Sequence, residues 1–227
     1  MVEPALYYSD DNMKPKALII LHDGIEELEA VAPIDILRRG GVEVITTADT
    51  TRNHIKGRSE IKLSFDTPLS EVAVDMFDCI VLPGGPGIVQ TIRPNPQIAQ
   101  LLKQQFDKNK WIAAICAAPL ILSDAGILNN KHYTAHLSTI EALPEIKTGA
   151  SVVVDAPVIT SSGAGTAIEF ALTILTKLTS LEKAKEIADN ILFKKNADEW
   201  WWELDCYTLS AAPETSASHS GSAASNQ

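Results

Sequence analysis

Short apolar runs alternate with stretches of helical periodicity along most of this chain, and that alternation restricts the fold more than any other feature. The runs are Ala17–Leu21, Val42–Thr47, Cys79–Leu82, Trp111–Ile115, Val152–Val154 and Val158–Thr160. Strands that are apolar at nearly every position need cover on both faces. Helical patterning predicts helices over Ile25–Arg39, closed by Gly40-Gly41, near Pro96–Lys108, from the turn after Ile115 to about Gly126, and over Thr166–Leu178 and Leu181–Phe193. A further short strand is expected at His132–Ala135, and a small extra strand pair within His54–Lys62. Strands alternating with helices build βαβ units with right-handed crossovers, hence a largely parallel sheet between two helical layers. The expected fold is α/β, a flavodoxin-like three-layer sandwich. With 227 residues, 45% of them hydrophobic, the chain can bury one sizeable core, and one domain over residues 15–195 is expected.

The ends do not share this pattern. Residues 1–14 have no clear period and read as a flexible arm. Residues 196–227 read as a Trp-rich segment followed by a disordered tail of Ala, Ser, Thr, Gly and Pro, too poor in apolar surface to offset chain entropy. For the Trp200–Tyr207 segment two readings stand. The tryptophans pack back onto the domain, or Trp201 and Leu204, flanked by acidic residues, dock on a protein partner by strand addition.

A formal charge of −10 argues against a nucleic-acid or anionic-membrane surface, both of which require basic patches. No apolar run approaches the roughly 20 residues of a membrane span, and Met1–Asn12 lacks the features of a targeting signal. Three cysteines, Cys79, Cys116 and Cys206, are an odd number without framework spacing, which points to a reducing compartment. The cytoplasm is expected, with the nucleus as the alternative. No Cys/His cluster has metal-ligand spacing, so no metal site is expected.

Chemistry concentrates where the strand Trp111–Ile115 breaks into a helix at Ala114-Ile115-Cys116-Ala117-Ala118-Pro119. A sharp strand-to-helix turn exposes its central side chain, and the unpaired N–H groups of the new helix favour a thiolate. Pro119 suits the first helical turn. Taken alone, this motif leaves Cys116 as either a nucleophile or a small buried hydrophobe. The carboxyl ends of the strands, where ligands bind in such sheets, also gather the Glu26–Glu29 segment and the Pro83-Gly84-Gly85 turn.

Read in order, Gly24-Ile25-Glu26-Glu27-Leu28-Glu29-Ala30-Val31, Val81-Leu82-Pro83-Gly84-Gly85, Ala113-Ala114-Ile115-Cys116-Ala117-Ala118-Pro119 and Gly163-Ala164-Gly165-Thr166-Ala167-Ile168-Glu169-Phe170 resemble the DJ-one/ThiJ/PfpI superfamily, closest to its parkinsonism-associated deglycase branch. The resemblance runs from about Lys14 to Lys195. It implies Cys116 as nucleophile, Glu29 as the carboxylic acid beside it and His136 as the third member. It also implies an oxyanion site from the N–H groups of Gly85 and Ala117, with Gly84 beside them in substrate binding. The implied activity needs no cofactor: conversion of methylglyoxal to lactate, or removal of early methylglyoxal and glyoxal adducts. A homodimer through the helix at Ile25–Arg39 is implied as well.

Alternatives accompany these assignments. Cys116 is also the redox-sensitive residue of a stress-protective chaperone reading, in which oxidation to the sulfinate is the switch. A protease or amidase is less favoured, because Ala117 stands where a histidine would follow the cysteine. Glu29 is either functional or an exposed helix carboxylate, and His22 and His136 are either site groups or structural histidines. The chain departs from the family at Ala164, where relatives commonly carry Pro, and at Ser162, where some carry Arg. In Gly57-Arg58-Ser59 the family's interface arginine is displaced.

Overall fold

The structure, a computed structural model, describes residues 14–72 and 77–193, so the Trp200–Tyr207 segment and Cys206 lie outside the described residues. A seven-stranded sheet runs in the order β5-β2-β1-β6-β7-β9-β8. Its strands are β1 (Lys16–Leu21), β2 (Glu43–Ala48), β5 (Thr67–Pro68), β6 (Cys79–Leu82), β7 (Trp111–Ile115), β8 (Val152–Asp155) and β9 (Val158–Ser161). Every pairing is parallel except β8 with β9. The short strands β3 (His54–Lys56) and β4 (Lys62–Ser64) form a separate antiparallel pair.

The apolar runs are buried on both faces because their residues alternate between two cores. Ala17, Ile19 and Leu21 of β1 join Cys79, Val81, Ala113 and Ile115 under the helices α1 (Glu27–Arg39), α5 (Ala167–Leu178) and α6 (Leu181–Asn190). Leu18 and Ile20, with Ile80, Leu82, Ile112 and Ala114, face α2 (Ile88–Thr91), α3 (Pro96–Asp107) and α4 (Pro119–Asp124) on the other side. The result is the flavodoxin-like α/β sandwich, a mostly parallel sheet between helical layers.

Helix limits follow local chemistry. The side chain of Asn95 caps α3 by accepting from the N–H of Gln97 and Ile98, with Pro96 at the first position. Helix α1 begins at Glu27 rather than Ile25, because the N–H groups of Ile25 and Glu26 donate to the carbonyls of His22 and Gly84. Helix α6 stops at Asn190, short of Phe193, where Leu192 enters the left-handed region at φ +56°.

One expected strand is absent. Residues 132–135 form no ladder with any strand of the sheet. Their polar groups are met otherwise: Thr134 N–H donates to Thr160 Oγ1 at 2.9 Å, and Tyr133 C=O accepts from the Lys147 N–H at 2.8 Å.

Candidate active site

Cys116 follows the last residue of β7 and has φ +63°, a left-handed conformation that costs a non-glycine residue energy and must be held by its surroundings. Two backbone bonds hold it. Its N–H donates to Ser161 C=O at 2.9 Å, and its C=O accepts from the His136 N–H at 2.8 Å. The side chain is thereby turned off the end of the sheet and remains partly exposed, while Cys79 is fully buried in β6.

Glu29, in the first turn of α1, is 0% exposed. Its Oε2 accepts from the Gly84 N–H at 2.8 Å, and its carboxyl lies within hydrogen-bonding reach of the Cys116 thiol. Gly84 is required at this point: a β-carbon there would lie 2.8 Å from Cys116 Cβ, from Glu29 Oε2 and from the Ile115 carbonyl oxygen. At Gly85, φ is +113° and a side chain would strike the backbone of Gly24–Glu26.

Burial pushes Glu29 up to about 7, against the opposing effects of the Gly84 N–H and of Cys116. Burial also pushes the Cys116 thiol up to about 12, and the Glu29 carboxylate acts in the same direction; the N–H groups of Ala117 and Gly85 pull it down. The N–H groups thus favour the thiolate, in the direction the motif suggests, while burial and Glu29 act more strongly the other way. Two buried neighbours cannot both be anionic, so the pair carries at most one negative charge. With the proton on Glu29, repulsion is removed and its O–H becomes a donor toward sulfur.

The structure brings Cys116, Glu29, Gly84, Gly85 and Ala117 together. His136 shares the elbow through its backbone only. Its side chain is exposed, and Nδ1 accepts from the Ser138 N–H at 3.2 Å and lies 2.8 Å from Ser138 Oγ. Among the described residues its ring makes no hydrogen bond to Cys116 or Glu29. His22 is buried, 3% exposed, directly after the end of β1.

Two features were not foreseen in the sequence. Arg58, one place from the family's arginine, pairs with Glu26 at 2.8 Å at the mouth of the acidic segment. Glu27 is buried, its carboxylate held by the Ser59 N–H at 2.8 Å; burial pushes its pKa up, but the N–H groups of Glu27 itself, Ser59 and Ile61 together pull it down, and Gly57 leaves room for it. Only the pattern of a glycine and an arginine opposite an acidic run hinted at this.

Among the described residues, no group of three His, Cys, Asp or Glu side chains could hold a metal ion, and no helix is long and apolar enough to cross a membrane. A surface cavity of about 500 Å³ lies away from this chemistry, between Asn130–His132 and Glu145–Lys147. It sits near the start of β7, where Lys131 and His132 are engaged by Asp155.

A sequence profile of the DJ-1/PfpI family matches residues 15–177. Protein dj-1beta of Drosophila melanogaster is 37% identical over 190 residues, which are 81% of this chain and 100% of that protein. The crystal structure of that fly protein superposes with a TM-score of 0.77, covering 79% of this chain and 98% of its own. The glutathione-independent glyoxalase DJR-1.2 of Caenorhabditis elegans is 35% identical over 183 residues, 79% of this chain and 97% of the relative. The structure of oxidized Toxoplasma gondii DJ-1 gives a TM-score of 0.75 at 32% identity, covering 79% and 98% of the two chains.

Proposed function

The chain belongs to the DJ-1/PfpI family, and from that premise we propose that it is a cofactor-free glyoxalase and protein deglycase acting through Cys116. The observation that carries this reading is the fully buried carboxyl of Glu29 against a thiol presented at a left-handed elbow. One negative charge shared by the pair lets Glu29 stabilise the thiolate and carry a proton in turn.

In this proposal the Cys116 thiolate adds to the aldehyde carbon of methylglyoxal, forming a C–S bond. The N–H groups of Gly85 and Ala117 stabilise the resulting oxyanion of the hemithioacetal. Glu29 removes the proton from that carbon and returns it to the adjacent one, leaving a thioester. Water hydrolyses the thioester to lactate and frees the thiol. In a methylglyoxal or glyoxal adduct the bound amine or thiol first leaves the carbinol carbon, taking up the hydroxyl proton and restoring the aldehyde that Cys116 then attacks; glyoxal yields glycolate in place of lactate. We assign His136 to the rim of the cleft, since Ser138 engages its Nδ1.

The test is lactate formation from methylglyoxal without glutathione. Cys116→Ser and Glu29→Gln should each lower turnover by about a thousandfold, the range for loss of a nucleophile or proton carrier. Retention of a tenth of wild-type activity by either variant would sink the assignment.

A redox-sensing chaperone reading has one observation in its favour: of the two described cysteines, only Cys116 is accessible, and Gly85, Ala117 and Glu29 can donate to sulfinate oxygens. The proposal also includes a reducing cytoplasmic setting, supported by three cysteines without framework spacing, and a homodimer. A protein partner for the Trp-rich segment remains part of the proposal from sequence alone.

A further inference from the structure

His22 immediately follows β1 and lies beneath the turn that forms the site. Its Nδ1–H donates to the Asp23 carbonyl at 2.9 Å, while the buried Nε2 takes no hydrogen bond among the described residues. The carbonyls of Pro83 and Gly84 lie against the same ring.

Those two carbonyls belong to the peptide units that serve the reactive groups. The Pro83–Gly84 unit presents its C=O to His22 and its N–H to Glu29 Oε2, and the Gly84–Gly85 unit presents its C=O to His22 and its N–H to the Cys116 sulfur. A donor on a peptide oxygen strengthens the N–H at the other end of that unit.

We propose that His22 is a positioning residue for the reactive thiol, acting on both Glu29 and Cys116 through the two peptide units of the Pro83–Gly84–Gly85 turn. When Nε2 carries a proton, it donates to the turn carbonyls and firms the N–H groups that face the pair. When Nε2 is unprotonated, its lone pair opposes those oxygens and the support is withdrawn. Burial holds the imidazole below its ordinary 6.5, outweighing the carbonyls and the Asp23 carboxylate that favour the charged ring. The supporting form therefore grows as pH falls below that value. Asp23 itself is paired with Arg52 and accepts from the Lys56 N–H at 2.9 Å.

The inference rests on Cys116 being the reactive thiol, and its test reads that thiol directly rather than turnover. The rate of Cys116 alkylation by iodoacetamide, located by peptide mapping, is measured from pH 5 to 9 in the full chain and in His22→Gln and His22→Ala. Glutamine places a pH-independent N–H near Nε2; alanine supplies none. Wild-type reactivity should show an inflection below pH 6.5 that is absent from both variants, and at pH 8 His22→Gln should exceed His22→Ala by about fivefold, the worth of one hydrogen bond. Should His22→Ala fail to fold, the wild-type and His22→Gln profiles decide alone. Superimposable profiles, with no inflection removed, overturn the proposal while leaving the glyoxalase reading intact. Alkylation that maps away from Cys116 would overturn both.

Discussion

A single carboxyl group sets the chemistry of this site and leaves a mark on stability. Glu29 is raised from 4.5 to about 7 by burial. A group whose pKa is higher folded than unfolded contributes stability that is full below the unfolded value and is lost as pH rises through the folded one. The window is thus pH 4.5 to 7, and the shift corresponds to about 3 kcal/mol. Glu29→Gln removes this dependence. Urea unfolding at fixed protein concentration should therefore show the variant gaining on wild type by up to about 3 kcal/mol between pH 4.5 and 8. An equal offset at both pH values would mean that Glu29 does not keep its proton in the folded protein. His136 teaches the complementary point: a histidine after an apolar stretch is legible in sequence, but that Ser138 engages its ring is a local capping detail no motif carries.

At the scale of elements, the site is a meeting of three turns: the elbow between β7 and α4, the turn after β6 and the loop between β1 and α1. The turn after β6 is held to that loop by Glu26 N–H to Gly84 C=O at 3.1 Å and Gly87 N–H to Gly24 C=O at 3.2 Å. Contacts this close leave no space for a side chain. Gly84→Ala would drive a methyl into Cys116, Glu29 and the Ile115 carbonyl, parting the carboxyl from the sulfur. Methylglyoxal turnover should fall by about a hundredfold, with a stability loss of about 1–3 kcal/mol. Gly165→Ala, where no atom lies within 4 Å of the added carbon, should change neither. Full activity in Gly84→Ala would show that the pair does not depend on this approach.

The strands and most helices were legible because burial on both faces writes itself as unbroken apolar runs. Residues 132–135 misled because their backbone groups are met by the Thr160 hydroxyl and the Lys147 N–H, partners from distant chain that no local pattern reveals. Likewise, α2 and β5 are too short to impose a period. The cysteine and Glu29 could be read from motifs, but the orientation of His22 under the turn and the Glu26–Arg58 pair depend on chain returning from distant positions.

For the molecule as a whole, the uneven surface of α1 has the widest consequence. Leu28 and Val31 stand one turn apart on the helix and are 62% and 45% exposed, unlike the buried Ala30, Pro33 and Leu37. The β3–β4 hairpin adds Ile61, 53% exposed, whose backbone also bears on Glu27 of α1. An acidic chain of net charge −10 gains nothing in solubility from large apolar groups left exposed in this way. A twofold contact would bury each of them twice, since an isologous patch meets its own copy. The proposed homodimer therefore centres on Leu28, Val31 and Ile61. Burying a leucine or valine contributes about 1.5–3 kcal/mol, and an aspartate in its place adds a desolvated charge, so Leu28→Asp with Val31→Asp should raise the dimer dissociation constant at least about a hundredfold. Light scattering at micromolar concentration should give a dimer mass for wild type and a monomer mass for the double variant. Neither substitution touches Cys116 or the Gly84 turn, so thiol alkylation in the separated monomer reports whether the elbow stands without its partner. A wild-type monomer, or a double variant that stays dimeric, would show that this face of α1 is not the contact.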